Sequence, residues 1–170
     1  MAKYPAFLAG MRVTADLLAS SQPDVVRKVA TESVSSSTTL QNDDELFVSV
    51  EANATYIVNM FLLHSSPLPG DLSIGWSVPT GASFAWGVQA ASNDTANSFV
   101  VSDMNLVGRN ATEAATFGGG DGTATRADVS GTLTTSVTAG TLQFRWAQRV
   151  SNASASQIRA GSWLSVRRIA

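Results

Sequence analysis

The hydrophobic positions of this chain follow one rule up to about residue 24 and a different one beyond it. Near the start, Thr14 can cap a helical turn, with Asp16 at the positive end of its dipole, and Pro23 ends the turn. A helix of one or two turns is only marginally stable by itself. We therefore expect residues 1–24 to form an arm that docks either on its own domain or on a larger assembly.

From Val25 onward, apolar residues alternate with small and polar ones. The clearest examples lie in the ranges 72–78, 84–88 and 142–146, where every second residue is Leu, Ile, Val, Phe or Trp. This period of two is typical of strands with one buried face, and clusters of Gly, Pro, Asn and Asp separate the runs. The candidate strands are Val25–Val29, Leu46–Val50, Thr55–His64, Leu72–Val78, Ala82–Ala90, Asn97–Val107, Arg126–Thr135, Thr141–Val150 and Gln157–Ile169.

This spacing predicts an all-β fold, an antiparallel jelly-roll sandwich of about eight to nine strands. The sandwich domain covers residues 25–170, and the arm with its helical turn covers residues 1–24.

The run from Tyr56 to Leu63 departs from simple alternation because it is apolar on both faces except at Asn59. An antiparallel strand normally exposes one face to water. Either this strand is central and covered on both sides within one chain, or its second face meets another subunit, as in a trimer. For the second alternative we predict a subunit interface that contains Tyr56, Val58, Met60, Leu62, Phe144, Trp146 and Trp163.

Composition narrows the possible functions. The chain has 170 residues, a net charge of −2, 14% charged residues, one His and no Cys. Electrostatic capture of nucleic acid is therefore not expected, thiolate metal sites are excluded, and no apolar run is long enough to span a bilayer. The first residues lack the apolar core of a signal peptide, so we expect synthesis in a host cytoplasm.

The residues that could carry chemistry all have simpler interpretations. His64 lies at a strand end without a nucleophile motif, and we expect an ordinary surface or interface histidine. Asp43, Asp44 and Glu45 are adjacent rather than alternating, which favours a solvated turn over a calcium site. Tryptophans 76, 86, 146 and 163 could stack on sugars, but their positions within strands favour core or interface packing. We predict no enzymatic activity, no metal and no cofactor.

Basic residues concentrate near the C-terminus, at Arg145, Arg149, Arg159, Arg167 and Arg168. We expect them on two paired strands, in salt bridges or against an acidic partner surface.

Three stretches carry a resemblance to a known group: RVTADLL from Arg12, SSTTLQND with the following EL, and GTLQFRWAQ running to AGSWL. They resemble small β-rich virion proteins of actinobacterial phages, of the head-decoration or minor-tail type. The closing pattern is also similar to the jelly-roll trimers of the tumour-necrosis-factor and C1q type.

The resemblance implies a non-enzymatic virion protein, most simply a homotrimeric capsid decoration (cement) protein on the outer surface of the phage particle. Its partners would be other copies of itself and the major capsid protein or another virion protein. The predicted anchoring residues are Tyr4, Phe7, Leu8, Arg12, Leu17 and Leu18. The alternative is a receptor- or glycan-binding module on a tail or head fibre, with host-surface glycan as its ligand.

Overall fold

The computed structural model describes residue 5 and residues 7–68, 70–91, 104–105, 107–119 and 122–170. These residues form one helix and thirteen strands. The elements are α1 (Ala15–Ser20), β1 (Asp24–Arg27), β2 (Glu32–Val34), β3 (Gln41–Val50), β4 (Thr55–Ser65), β5 (Leu72–Ser77), β6 (Ser83–Ala91), β7 (Met104–Asn105), β8 (Gly108–Arg109), β9 (Ala115–Phe117), β10 (Thr125–Thr134), β11 (Gly140–Gln148), β12 (Ser156–Ile158) and β13 (Trp163–Arg168). Asn97–Val107, predicted as one strand, lies largely outside the described residues.

The strands form two antiparallel sheets. The larger sheet has the order β1-β13-β4-β10-β6-β7; β12 also pairs with β4, β2 pairs with β12, and β8 pairs with β6. The smaller sheet has the order β3-β11-β5-β9. From β3 onward the chain passes back and forth between the sheets, so that β3, β5, β9 and β11 lie in the smaller one and β4, β6, β10 and β13 in the larger one. This double-sheet connectivity confirms the predicted all-β jelly-roll sandwich.

Alternation along the strands fills the space between the sheets. Trp76 from the smaller sheet packs edge-on against Phe84 of the larger one, with ring centroids 5.4 Å apart, and against Phe144 at the same distance. Gly131 on β10 faces this cluster, and a Cβ there would lie 2.6 Å from the ring of Phe84. The small residue is therefore needed to make room for the aromatic core.

The predicted helical turn is also present. The N–H group of Leu17 donates to Oγ1 of Thr14 at 3.2 Å, as expected for a capping threonine. The helix contains no buried residue. The helix therefore does not enclose its apolar side chains against the sandwich, although Pro5 near the start of the arm is buried.

Candidate functional site

Six of the seven residues predicted for the subunit interface lie elsewhere. They fill the core of a single chain, at no more than 5% exposure each: Tyr56, Val58, Met60, Leu62, Phe144 and Trp146. A second subunit cannot contact side chains that are already enclosed, so this part of the prediction is wrong. The physical reason is parity, because consecutive residues of a strand point to opposite faces and the prediction took the inward set of β4.

The outward set of β4 carries the apolar second face that the sequence indicated. Ile57 is 41% exposed, and Phe61 and Leu63 are half-buried. Trp163, the seventh predicted interface residue, is on the adjacent strand β13 and is 37% exposed. It pairs with Phe61 across the strands, and their rings stack with centroids 6.2 Å apart. We call the outward side of the larger sheet the outer face.

Cross-strand register arranges the outer face in rows, because residues paired across strands share a side of the sheet. The middle row begins with the exposed Val25 on β1 and continues with Ser165, Asn59, Ser130 and Gly87, which are small or polar. The rows beside it carry larger side chains. Arg27, Trp163, Phe61, Asp128 and Gln89 form one of them, and Arg167, Ile57, Thr132 and Ala85 form the other.

The outer face is concave over β13, β4, β10 and β6. The depression has a volume of about 970 Å³, and residues of β13, β4, β10 and β6 line it together with Val107. A smaller apolar hollow of about 440 Å³ adjoins it beside Val25 and Trp163. We call this depression the trough. With small polar residues at its centre and the exposed Trp163 at its side, it can accept either a protruding part of another protein or a sugar ring.

The arm presents a second apolar surface. Phe7, Leu8 and Leu18 of the predicted anchor are exposed, Leu17 is half-buried and Arg12 is exposed. Tyr4, the remaining anchoring residue, lies outside the described residues. Met11 and Val13, which the sequence analysis did not include, are exposed as well. Apolar side chains clustered on a short segment without cover are typical of a segment that binds a partner.

The single histidine is not a surface residue, contrary to the prediction. His64 is fully buried against the edge of Phe117, and neither ring nitrogen has a hydrogen-bond partner among the described residues. Burial lowers the pKa of His64 to about 4, since the charged imidazolium loses its hydration in the core. The side chain is therefore neutral at physiological pH and enclosed away from solvent.

The acidic run and the basic residues also differ from expectation. Asp43 is buried on β3 instead of lying in a solvated turn, and it contacts the buried amine of Lys28. The strands β11 and β13, which carry Arg145 and Arg167, lie in different sheets and are not paired. Arg149 does form a salt bridge with Asp71, at 3.0 Å, and Arg168 forms one with Glu51.

Two further observations concern the described part of the chain only. It contains no helix that is both long and apolar enough to cross a membrane. It also contains no group of three or more His, Asp and Glu side chains placed to hold a metal ion.

The fold and site thus define an antiparallel β-sandwich with a concave outer face and an exposed apolar arm. No family model and no curated protein matches the sequence. Among solved structures, the chain is similar to the infectious bursal disease virus VP2 subviral particle, with 15% identity over 99% of this chain and 47% of that one, at a TM-score of 0.21. A structure of the Gx strain of the same virus shows 9% identity over 99% and 41%, at a TM-score of 0.20.

The chain therefore spans less than half the length of these viral chains.

Proposed function

We propose that this protein is a non-enzymatic structural protein of a bacteriophage particle, a decoration protein that binds the outer surface of the head through its arm. The observation that carries the proposal is the arm itself. Phe7, Leu8 and Leu18 are exposed and the helix has no buried residue, so a partner that covers them would gain the free energy of burying their apolar surface. The sandwich behind it folds around its own complete core and can remain outside the shell.

We also propose that the protein is a homotrimer whose subunits contact one another through the outer face. Ile57, Phe61 and Trp163 supply the exposed apolar area, and the trough supplies a concave surface for a neighbouring copy. The similarity of the closing strands to trimeric jelly rolls favours three subunits over two. Light scattering of the purified protein is expected to give three times the chain mass of 17.8 kDa.

The experiment that tests attachment uses phage heads assembled without this protein. Full-length protein and a variant lacking residues 1–22 are mixed with such heads, and the bound fraction is measured after sedimentation. We choose residue 22 as the limit because β1 begins at Asp24, so every strand is retained. The full-length protein is expected to bind and the variant to remain in the supernatant as an intact trimer.

Equal binding of both proteins would refute the arm as the anchor. Failure of the full-length protein to bind, together with its absence from purified particles by mass spectrometry, would refute the decoration role itself.

A second candidate function is supported by one observation, the exposed indole of Trp163 beside the trough. Asn59, Ser130 and Gln89 place amide and hydroxyl groups along the same depression, and stacking plus such groups is how proteins bind sugars. This candidate is a receptor-binding module for host-surface glycan. A glycan array with Trp163→Ala, and with Phe47→Ala on the smaller sheet as the matched control, separates it from decoration.

Saturable glycan binding that is lost only in Trp163→Ala would favour the receptor module. No binding on the array, with heads still decorated, would favour the first proposal.

A further inference from the structure

Lys28 is one of two lysines in the chain, and it is enclosed in a cluster of carboxylates between β1, β2 and β3. Its Nζ lies 2.9 Å from Oε2 of Glu32 and 2.9 Å from each of the two carboxyl oxygens of Asp43. The side chains of Lys28 and Asp43 are at most 1% exposed. Because the amine is at hydrogen-bonding distance from both oxygens of Asp43, it also lies against the carboxyl carbon Cγ.

The backbone holds both reacting groups in place. The N–H group of Lys28 donates to the carbonyl of Ser162 at 2.8 Å, and its own carbonyl accepts from Gly161 at 2.9 Å. On the other side, Oδ1 of Asp43 accepts the N–H groups of Glu45 at 3.0 Å and Leu46 at 2.9 Å. Two backbone donors on one oxygen are the arrangement that stabilises the negative charge of a tetrahedral intermediate.

The other oxygen of Asp43, Oδ2, is buried, and among the residues that the structure describes it has no hydrogen-bond donor besides its ion-pair contact with the amine. The two oxygens are therefore not equivalent. One is fixed by the backbone and suited to remain as a carbonyl, while the other is free to leave.

Glu32 is placed to move protons at this site. Its Oε2 contacts Nζ, and its Oε1 accepts from the side-chain amide of Gln41 at 2.8 Å. Its side chain is 16% exposed, so it is partly shielded from water. A carboxylate in direct contact with an amine can take a proton from it and later return that proton to a leaving oxygen.

We propose that Lys28 and Asp43 form an intramolecular isopeptide bond, with Glu32 as the proton carrier. Glu32 takes a proton from the ammonium group, and Nζ attacks Cγ of Asp43 while Oδ1 carries the developing charge. Glu32 returns its proton to Oδ2, a second proton passes from Nζ to Oδ2, and the Cγ–Oδ2 bond then breaks. One ammonium hydrogen stays on the amide nitrogen, two leave with Oδ2 as water, and Glu32 returns to its starting state. No oxidant or reductant is required.

The amine begins the reaction as an ammonium ion. Burial lowers the pKa of Lys28, but hydrogen bonds to Asp43 and Glu32 and the charges of these groups raise it, and the net shift is upward. The amine must therefore lose a proton before it can attack, and the contacting carboxylate of Glu32 can accept that proton. Exclusion of water from the site also protects the product amide from hydrolysis.

The bond would join two parts of the fold that only non-covalent contacts otherwise hold. Lys28 directly follows β1, the edge strand that continues from the arm, whereas Asp43 belongs to β3 in the smaller sheet. The covalent link would transmit a mechanical force on the arm directly to the smaller sheet of the sandwich. It does not depend on what the arm binds.

The intact mass of the purified wild-type protein tests the proposal without any variant. We expect a chain lighter than its sequence by one water molecule. Digestion after glutamate is the second readout, because cleavage after Glu32 separates residue 28 from residue 43. We expect a branched pair of peptides joined through these two residues. A wild-type mass that equals the sequence mass would show an ion pair only and would overturn the proposal.

Two variants assign the roles of the residues. Lys28→Arg keeps the charge but has no reactive amine, and its full sequence mass is the baseline. Glu32→Gln keeps the contact between amine and carboxyl but removes the proton carrier. Because this variant also lacks the cleavage site after residue 32, it is read by intact mass, and we expect at least a tenfold smaller fraction of chains that have lost one water molecule. Water loss that persists in Lys28→Arg would place the modification elsewhere. Complete reaction of Glu32→Gln would remove Glu32 from the mechanism.

Discussion

The outward faces of the two sheets differ in what they present to solvent. The larger sheet carries Ile57, Phe61 and Trp163, whereas the outward positions of the smaller sheet are mainly polar, with Phe47 as the exposed large apolar residue. Both sheets have a complete inner face, so folding does not require the outer apolar residues. The mainly polar outward face of the smaller sheet is what is expected of a sheet face that remains in contact with water. This difference between the two outward faces is the basis for the proposal that copies of the chain associate through the outer face of the larger sheet.

The largest expected change in stability distinguishes a tryptophan of the core from a tryptophan of the outer face. Trp146→Ala removes a fully buried side chain and is expected to lower the free energy of unfolding by about 3–5 kcal/mol. Trp163→Ala removes a partly exposed ring that stacks on Phe61 and is expected to cost about 1 kcal/mol. Urea denaturation followed by circular dichroism measures both. A stable, monomeric Trp146→Ala protein would restore that residue to the subunit interface.

His64 provides a pH-dependent test of the inner face. Its folded-state pKa of about 4 lies below the unfolded value of 6.5, so between these values the unfolded chain binds a proton that the folded chain does not. Stability is therefore unaffected by this group above pH 6.5 and falls as the pH approaches 4. The loss is expected to reach about 3 kcal/mol.

His64→Leu, compared with the wild type at each pH, isolates this contribution from those of the carboxylates. The difference in unfolding free energy between the two proteins is expected to change by the stated amount from pH 7 to pH 4. A constant difference would mean that His64 is accessible to protons in the folded state.

The comparison of faces also shows what the sequence can and cannot predict. Alternation alone gives the strands and their sandwich, because period two is a local property of the chain. It also indicates that β4 is apolar on both sides. It does not say which side is inward, since Val58 and Ile57 are chemically alike, and only pairing with β10 and β13 decides that.

The contact between Lys28 and Asp43 was not predicted from the sequence, for a related reason. Lys28 has the same parity as the half-buried Val26, which is a signal that it points inward. Its partner Asp43, however, is on a strand of the other sheet, and no local pattern joins the two. Single residues that meet only after the sheets have packed are the hardest to predict from one sequence.

Association should depend on the outer face of the larger sheet and not on that of the smaller one. Ile57→Asp places a charge in the apolar row and is expected to weaken self-association at least about thirty-fold, the effect of losing a central contact of an interface. Phe47→Asp is the matched control, with similar exposure on the opposite face, and should leave the oligomer intact. Sedimentation velocity over a dilution series measures both dissociation constants.

Dissociation by Phe47→Asp with no effect of Ile57→Asp would move the interface to the smaller sheet. Monomeric wild-type protein at all concentrations would leave the outer face as a ligand surface instead.

A substitution in the arm is expected to have the smallest effect on stability, although it should strongly reduce attachment to heads. Leu8→Ser changes an exposed side chain that contacts no core, so the free energy of unfolding should stay within about 0.5 kcal/mol of the wild type. Val137→Ser, an equally exposed apolar residue in the turn between β10 and β11, is the control. Head occupancy should fall with Leu8→Ser alone. If both variants bind heads equally well, the arm's apolar side chains are not the attachment surface, and the polar part of the arm or the outer face must provide it.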